Sequence, residues 1–167
     1  MSGQTALPVP GQLRSARISE DGRYRYALLR RWTLGGGAVA FVMLNPSTAD
    51  AELDDPTVRR CVGFAKAWGY GAVHVLNLFA YRATDPVVLT FADDPVGSEN
   101  DVYLLRHAEA GVPMVAGWGA HKMARTRAAE VTSRLGIRWL ALGTTKDGSP
   151  RHPLYVKSDV QPVEWRP

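Results

Sequence analysis

Polar and charged residues gather at four places where an apolar run of this chain ends. Asn45-Pro46-Ser47-Thr48-Ala49-Asp50 follows the run Ala38 to Leu44, and Asp54-Asp55-Pro56-Thr57 comes shortly after. Asn77 lies at the end of Val73-His74-Val75-Leu76, with Tyr81-Arg82-Ala83-Thr84-Asp85-Pro86 beyond it. Gly117-Trp118-Gly119-Ala120-His121 closes a third run, and the polar segment Gly143 to Tyr155, containing Arg151-His152-Pro153-Leu154, closes a fourth. The Asn45 amide can hold a water or read a base edge; equally, Asn-Pro is a common strand terminator. Asp50, Asp54 and Asp55 can supply a general base or a metal ligand. Helix capping accounts for Asp55 and loop solvation for the other two, and their spacing matches no calcium loop. A strand-borne Asn77 needs hydrogen-bond partners, from a neighbouring loop or from a ligand. His152, loop-borne beside Arg151, suits an anion or a developing oxyanion. His74 in mid-strand reads as structural, and Cys61 on an apolar helix face as core.

Other chemistries find no support. Gly143-Thr144-Thr145-Lys146-Asp147-Gly148 lacks the phosphate-loop spacing, and neither a Gly-x-Ser-x-Gly elbow nor a Gly-x-Gly-x-x-Gly turn occurs. A single cysteine excludes an intramolecular disulfide and any multi-cysteine zinc site. No cofactor and no metal are expected.

The elements that must position these residues follow from hydrophobic patterning. Asp21-Gly22 between two short patterned runs predicts an N-terminal β-hairpin, whose second arm runs from Arg23 to Thr33 before Gly35-Gly36-Gly37 turns the chain. The apolar runs 38–44 and 72–78 read as strands buried on both faces, and 112–117 and 138–142 as two more. Helices are expected from Pro56, capped by Asp55, to Trp68; from Ser98, as cap, to Ala110; and from His121 to Leu135. The alternation predicts an α/β fold, a three-layer αβα sandwich around a mostly parallel four-stranded sheet preceded by the hairpin. Ligands of such sheets bind outside the carboxyl ends of the strands, where all four polar segments fall.

The 167 residues, 46% hydrophobic and 22% charged, fit one globular domain over 12–167 behind a loose tail at 1–11. No apolar run approaches the roughly 18 residues of a membrane span. Met1 to Gly11 carries no secretory pattern, so a cytoplasmic location without membrane contact is expected. The net charge of +4 is uneven: residues 1–40 hold six arginines against two acids, 41–101 nine acids against four bases, and 102–167 ten bases against five acids. Basic flanks permit a phosphate-bearing partner, as solvated helix faces also would.

Taken in order, Phe41 to Asp50, Asp55-Pro56-Thr57, Asn77-Leu78-Phe79-Ala80-Tyr81-Arg82, Gly117-Trp118-Gly119 and Arg151-His152-Pro153-Leu154-Tyr155 resemble a bacterial and phage family known as domain of unknown function 1643. A more distant resemblance is to the uracil-DNA glycosylase superfamily. That likeness implies that Asn45, with Pro46 and Ser47, positions the attacking water; that Asn77 reads the base; that Trp118-Gly119 matches a Trp-Gly step; and that His152 donates to the oxyanion while Leu154 enters the duplex. The sequence departs from that pattern in lacking glycines around Asn45-Pro46 and in carrying Leu154 and Tyr155 where serine is expected.

The expected function is hydrolysis of an N-glycosidic bond in DNA, a nucleoside or a nucleotide. Asn45, His152 and Asp50 are the catalytic candidates; Pro46, Ser47, Asn77, Tyr81, Arg82, Trp118, Arg151 and Leu154 are the substrate-binding ones. A non-catalytic nucleic-acid or nucleotide-binding module is the alternative, and a metal-assisted phosphoesterase using Asp50, Asp54 and Asp55 a third.

Overall fold

The computed structural model describes residues 11–167; the tail expected at 1–11 falls almost wholly outside them. The chain forms an α/β fold around one seven-stranded mixed sheet: β1 (Leu13–Ile18), β2 (Arg25–Arg31), β3 (Ala38–Met43), β4 (Ala72–Asn77), β5 (Met114–Ala116), β6 (Trp139–Ala141) and β7 (Val163–Trp165), in the order β1-β2-β4-β3-β5-β6-β7. The four strands expected from the apolar runs form its parallel core, β4-β3-β5-β6. The expected count of four is too small. The hairpin β1-β2 does not merely precede the sheet but joins it, β2 pairing antiparallel with β4. At the other edge β7 pairs antiparallel with β6.

Helices cover both faces. Helix α1 (Pro56–Ala67) buries Val58, Cys61, Phe64 and Ala65 against Phe41, Val73 and Val75. Helices α2 (Asn100–Glu109) and α3 (Ala124–Leu135) pack Leu104, Ala124 and Val131 against Val42, Leu76 and Met114 on the opposite face. Asp55 caps α1 as expected, its Oδ1 accepting from Val58 N at 2.8 Å, with Pro56 in the first turn. Helix α2 starts two residues after the expected cap. Glu99 rather than Ser98 holds the cap position and makes no side-chain cap bond. The loop after β4 contains a 3₁₀ turn at Pro86–Thr90, and a second lies at Pro153–Tyr155.

Two glycine turns lock the end of the sheet remote from the polar loops. A Cβ on Gly71 would collide with the carbonyl oxygen of Gly35, and one on Gly36 would lie 2.7 Å from that of Gly69. Only glycine lets the backbones entering β3 and β4 approach so closely.

Candidate functional site

A cleft of about 540 Å³ opens on the α1 face, where β3, β4 and β5 end. It gathers Asn45, Pro46, Ser47, Asn77, Trp118, His152 and Leu154 from four separate segments, together with Arg25, Asp55, Thr57, Thr84, His121 and Tyr155.

Asn45 sits directly beyond β3, in a loop laced to the one after β4. Its Nδ2 donates to Ala83 O at 2.8 Å and Pro46 O at 3.1 Å, and Ala83 N returns a bond to Pro46 O. With the amide nitrogen held by two carbonyls, Oδ1 is the atom left to accept from a water or a ligand.

Asn77, the last residue of β4, shares the α1 face with Val73 and Val75 because side chains alternate along a strand. It is 0% exposed, and neither Oδ1 nor Nδ2 has a hydrogen-bond partner. Of the two partners the sequence left open for it, the neighbouring loop supplies none. The carbonyls around it are better provided: Asn100 Nδ2 donates to Asn77 O and Leu78 O at 3.0 and 3.1 Å, and Arg127 Nε to Leu78 O at 2.9 Å. Asp101 in turn pairs with Arg127 and Arg134. Asn100 and Asp101 thus brace the end of β4 from behind.

The His152 loop is seated by close contact. Pro153 packs so tightly on Gly117 that a Cβ there would meet its ring at 3.2 Å. Arg60 of α1 donates to Pro153 O and Val156 O, and Gly119 N to Pro150 O. His152 Nδ1 accepts from Leu154 N at 3.1 Å. Burial holds the imidazole below its ordinary pKa, against the opposing pull of Asp55. The ring is therefore neutral near pH 7, with Nδ1 an acceptor and the proton on Nε2. Leu154 and Tyr155 stand exposed on the rim, 41% and 78%.

Four candidates lie elsewhere. Asp50 folds back on its own loop, accepting from Glu52 N and Leu53 N at 2.8 Å, and these bonds hold its carboxyl below the usual range. Tyr81 packs edge-on against Tyr24 and joins the core of the opposite face. Arg82 braces loops, its Nε donating to Ser47 O at 3.4 Å and Nη1 to Gly22 O at 3.3 Å. Arg151 is exposed and lies outside the cleft lining, its backbone N bonded to Gly143 O. Asp54 pairs with Arg14 and Arg30, and among the described residues no three His, Cys, Asp or Glu side chains are placed to hold a metal ion.

Asp55, one of the three carboxylates the sequence offered as a general base, reaches the cleft, and one lining residue, Arg25, escapes sequence reasoning. Asp55 caps α1 and also lines the cleft, where it is the one carboxylate. Arg25 reaches the cleft through a register slip: Arg17 pairs with Ala27 but Ile18 with Arg25, so Tyr26 is an extra residue in β2. The bulge puts Tyr26 against Tyr103 of α2 and re-aims Arg25 into the cleft. An Asp55-Pro56 helix start at the mouth of the sheet was a usable signal for Asp55; none announces the bulge.

A second cavity of about 530 Å³ shares Trp118, Gly119, Ala120 and His121 with the first and adds Lys122, Arg125, Asp147 and Trp165. No described helix is long and apolar enough to cross a membrane.

Neither a curated protein nor a solved structure matches the chain. A family model does, over residues 25–154, which takes in β2 through Leu154 and every cleft-lining residue but Tyr155. The chain belongs to the family described as protein of unknown function, DUF1643.

Proposed function

We propose that the cleft receives a nucleobase and that the protein hydrolyses an N-glycosidic bond, on the three-layer αβα plan of the uracil-DNA glycosylase superfamily that its sequence landmarks resemble. One observation carries this reading: Asn77 is fully buried, lines the cleft and has both amide atoms unpartnered. Native proteins rarely leave such a group unmatched without a functional reason. A carboxamide offers a donor and an acceptor side by side, which complements the N–H/C=O edge of uracil or hypoxanthine.

The remaining groups suit the chemistry. The bond from base nitrogen to sugar carbon breaks with its electron pair leaving on the base. The Nε2–H of neutral His152 donates to the base oxygen on which that charge collects. A water accepted at Asn45 Oδ1 adds its oxygen to the sugar carbon. Its proton passes to the Asp55 carboxylate and then to solvent, which also reprotonates the base. Asp55 takes the role the sequence suggested for Asp50. Lys122 and Arg125 of the adjoining cavity favour a ligand that also carries phosphate, and exposed Leu154 suits a wedge into a duplex.

The test is incubation with oligonucleotides and nucleotides containing uracil, mismatched thymine, deaminated purines and hypermodified pyrimidines, with mass spectrometry of released base. Release that disappears in Asn45→Ala and His152→Ala is the expected result. Salt-sensitive retention without release, in every condition, would instead make the protein a binding module.

A further inference from the structure

Three arginines among the described residues are almost completely buried, and two of them are compensated. Arg30, 3% exposed, bonds Asp54 Oδ1 through Nε at 2.8 Å. Arg127, 7% exposed, pairs with Asp101 and Glu130. Arg25 is the most buried, at 2%, and is the one that lines the cleft. It forms no ion pair among the described residues; Nη1 donates to Ala49 O at 2.9 Å, and Nε has no partner. The charged and titratable groups around it are Asp55 ahead of α1, Cys61 in α1, Arg30 on its own strand and Arg82 beyond β4. Only Asp55 among them opposes its charge, and that carboxylate already caps the helix. Two of the five buried side-chain atoms without a partner among the described residues belong to Asn77 and one to Arg25, and both residues line the same cavity.

Burying a cation without an ion-pair partner is costly, and a site in which one persists is prepared to receive an anion. We propose that Arg25 is an anion receptor built into the cleft, so that the base whose edge Asn77 reads is held with negative charge toward the Arg25 guanidinium. This rests on the reading of the cleft as a nucleobase site. It deepens that reading by fixing the class of ligand: a base that is ionised when bound, or that becomes so as it leaves. Arg25 then shares with His152 the charge of the departing base. Burial already pulls the guanidinium down to about 10, so an arriving anion relieves a real penalty.

The experiment compares free bases in pairs, uracil with 5-fluorouracil and hypoxanthine with xanthine, the second of each pair ionising more readily. Titration calorimetry gives affinity, and the ultraviolet difference spectrum shows whether the bound base is the anion. The wild-type protein should prefer the second member of at least one pair and bind it with the anion's spectrum. Arg25→Gln should lower that affinity about 10- to 100-fold, the scale of one charge-assisted hydrogen bond, and abolish the preference. Arg25→Lys, which keeps the charge without the fork, should retain part of it. Should Arg25→Gln fail to fold, the wild-type preference and spectrum alone decide. Equal binding of both members as neutral bases overturns the role of Arg25 and leaves the nucleobase reading standing. Binding of inorganic phosphate that needs Arg25, with no base bound, overturns the nucleobase reading and keeps the anion receptor. Binding of neither contradicts both.

Discussion

Replacing Asn77 by leucine should leave the protein at least as stable as it was and useless as a binder. Asn77 is wholly buried beneath α1, and both polar atoms of its amide lack partners. An unsatisfied buried polar group costs about 1–3 kcal/mol, and an apolar side chain of similar shape removes that cost. Leucine at this position would face Val75 and Met43, which line the same cleft. The expected change is a gain of about 1–3 kcal/mol, which for a chain of this size corresponds to a melting temperature higher by about 2–4 °C per kcal/mol. Asn100→Leu is the control. That side chain is equally buried, but its Nδ2 holds two carbonyls at the end of β4, so the same substitution should destabilise by about 2–4 kcal/mol. Urea unfolding followed by circular dichroism measures both. If Asn77→Leu loses more than about 1 kcal/mol, the amide is structurally satisfied and the argument for an open recognition group fails.

Other expectations follow from the same geometry. Asp55→Ala should cost about 1 kcal/mol through loss of the α1 cap and abolish base release, whereas Asp50→Ala, confined to its own loop, should leave release nearly intact; parallel melts and product assays separate the two. Burial pulls His74 down to about 4 and also lowers His107, whose ring meets it edge-on at 4.5 Å, and His152. The unfolded chain then binds more protons than the folded one below about pH 6.5, so stability is complete above that pH and falls as pH drops toward about 4. Urea midpoints across that window check this, and His74→Leu should flatten the slope. Gly71→Ala, which drives a methyl into the Gly35 carbonyl, should cost more than about 3 kcal/mol or prevent folding, as expression and melting would report.

The parallel core was legible because strands buried on both faces are written as unbroken apolar runs, and α1 because Asp55-Pro56 begins it. The sheet's edges were not. Strand β7 has three residues, two of them exposed, and carries no pattern to read. Membership of the hairpin in the sheet depends on β2 pairing with β4 across the chain. The cleft was legible as strand ends carrying Asn45, Asn77, Trp118 and His152, which do converge. Arg25 was hidden because a bulge in register, not a residue type, turns it inward. Asp55 rather than Asp50 reaches the cleft because a carboxylate that caps a helix at its mouth can also line it, while Asp50 is answered by its own loop. Tyr81 and Arg82 sit in the right loop but face Tyr24 and the hairpin turn.

The side-chain amide of Asn77 can be watched directly. Protein labelled with nitrogen-15 in asparagine alone gives one pair of side-chain NH₂ signals for each asparagine, and Asn77→Leu identifies the pair that belongs to Asn77. On titration with uracil, hypoxanthine and their readily ionised counterparts, that pair should move saturably with at least one base, while the Asn100 pair, already bonded to two carbonyls, should move far less. An Asn77 signal that stays fixed while every base is added to saturation would contradict base recognition in this cleft.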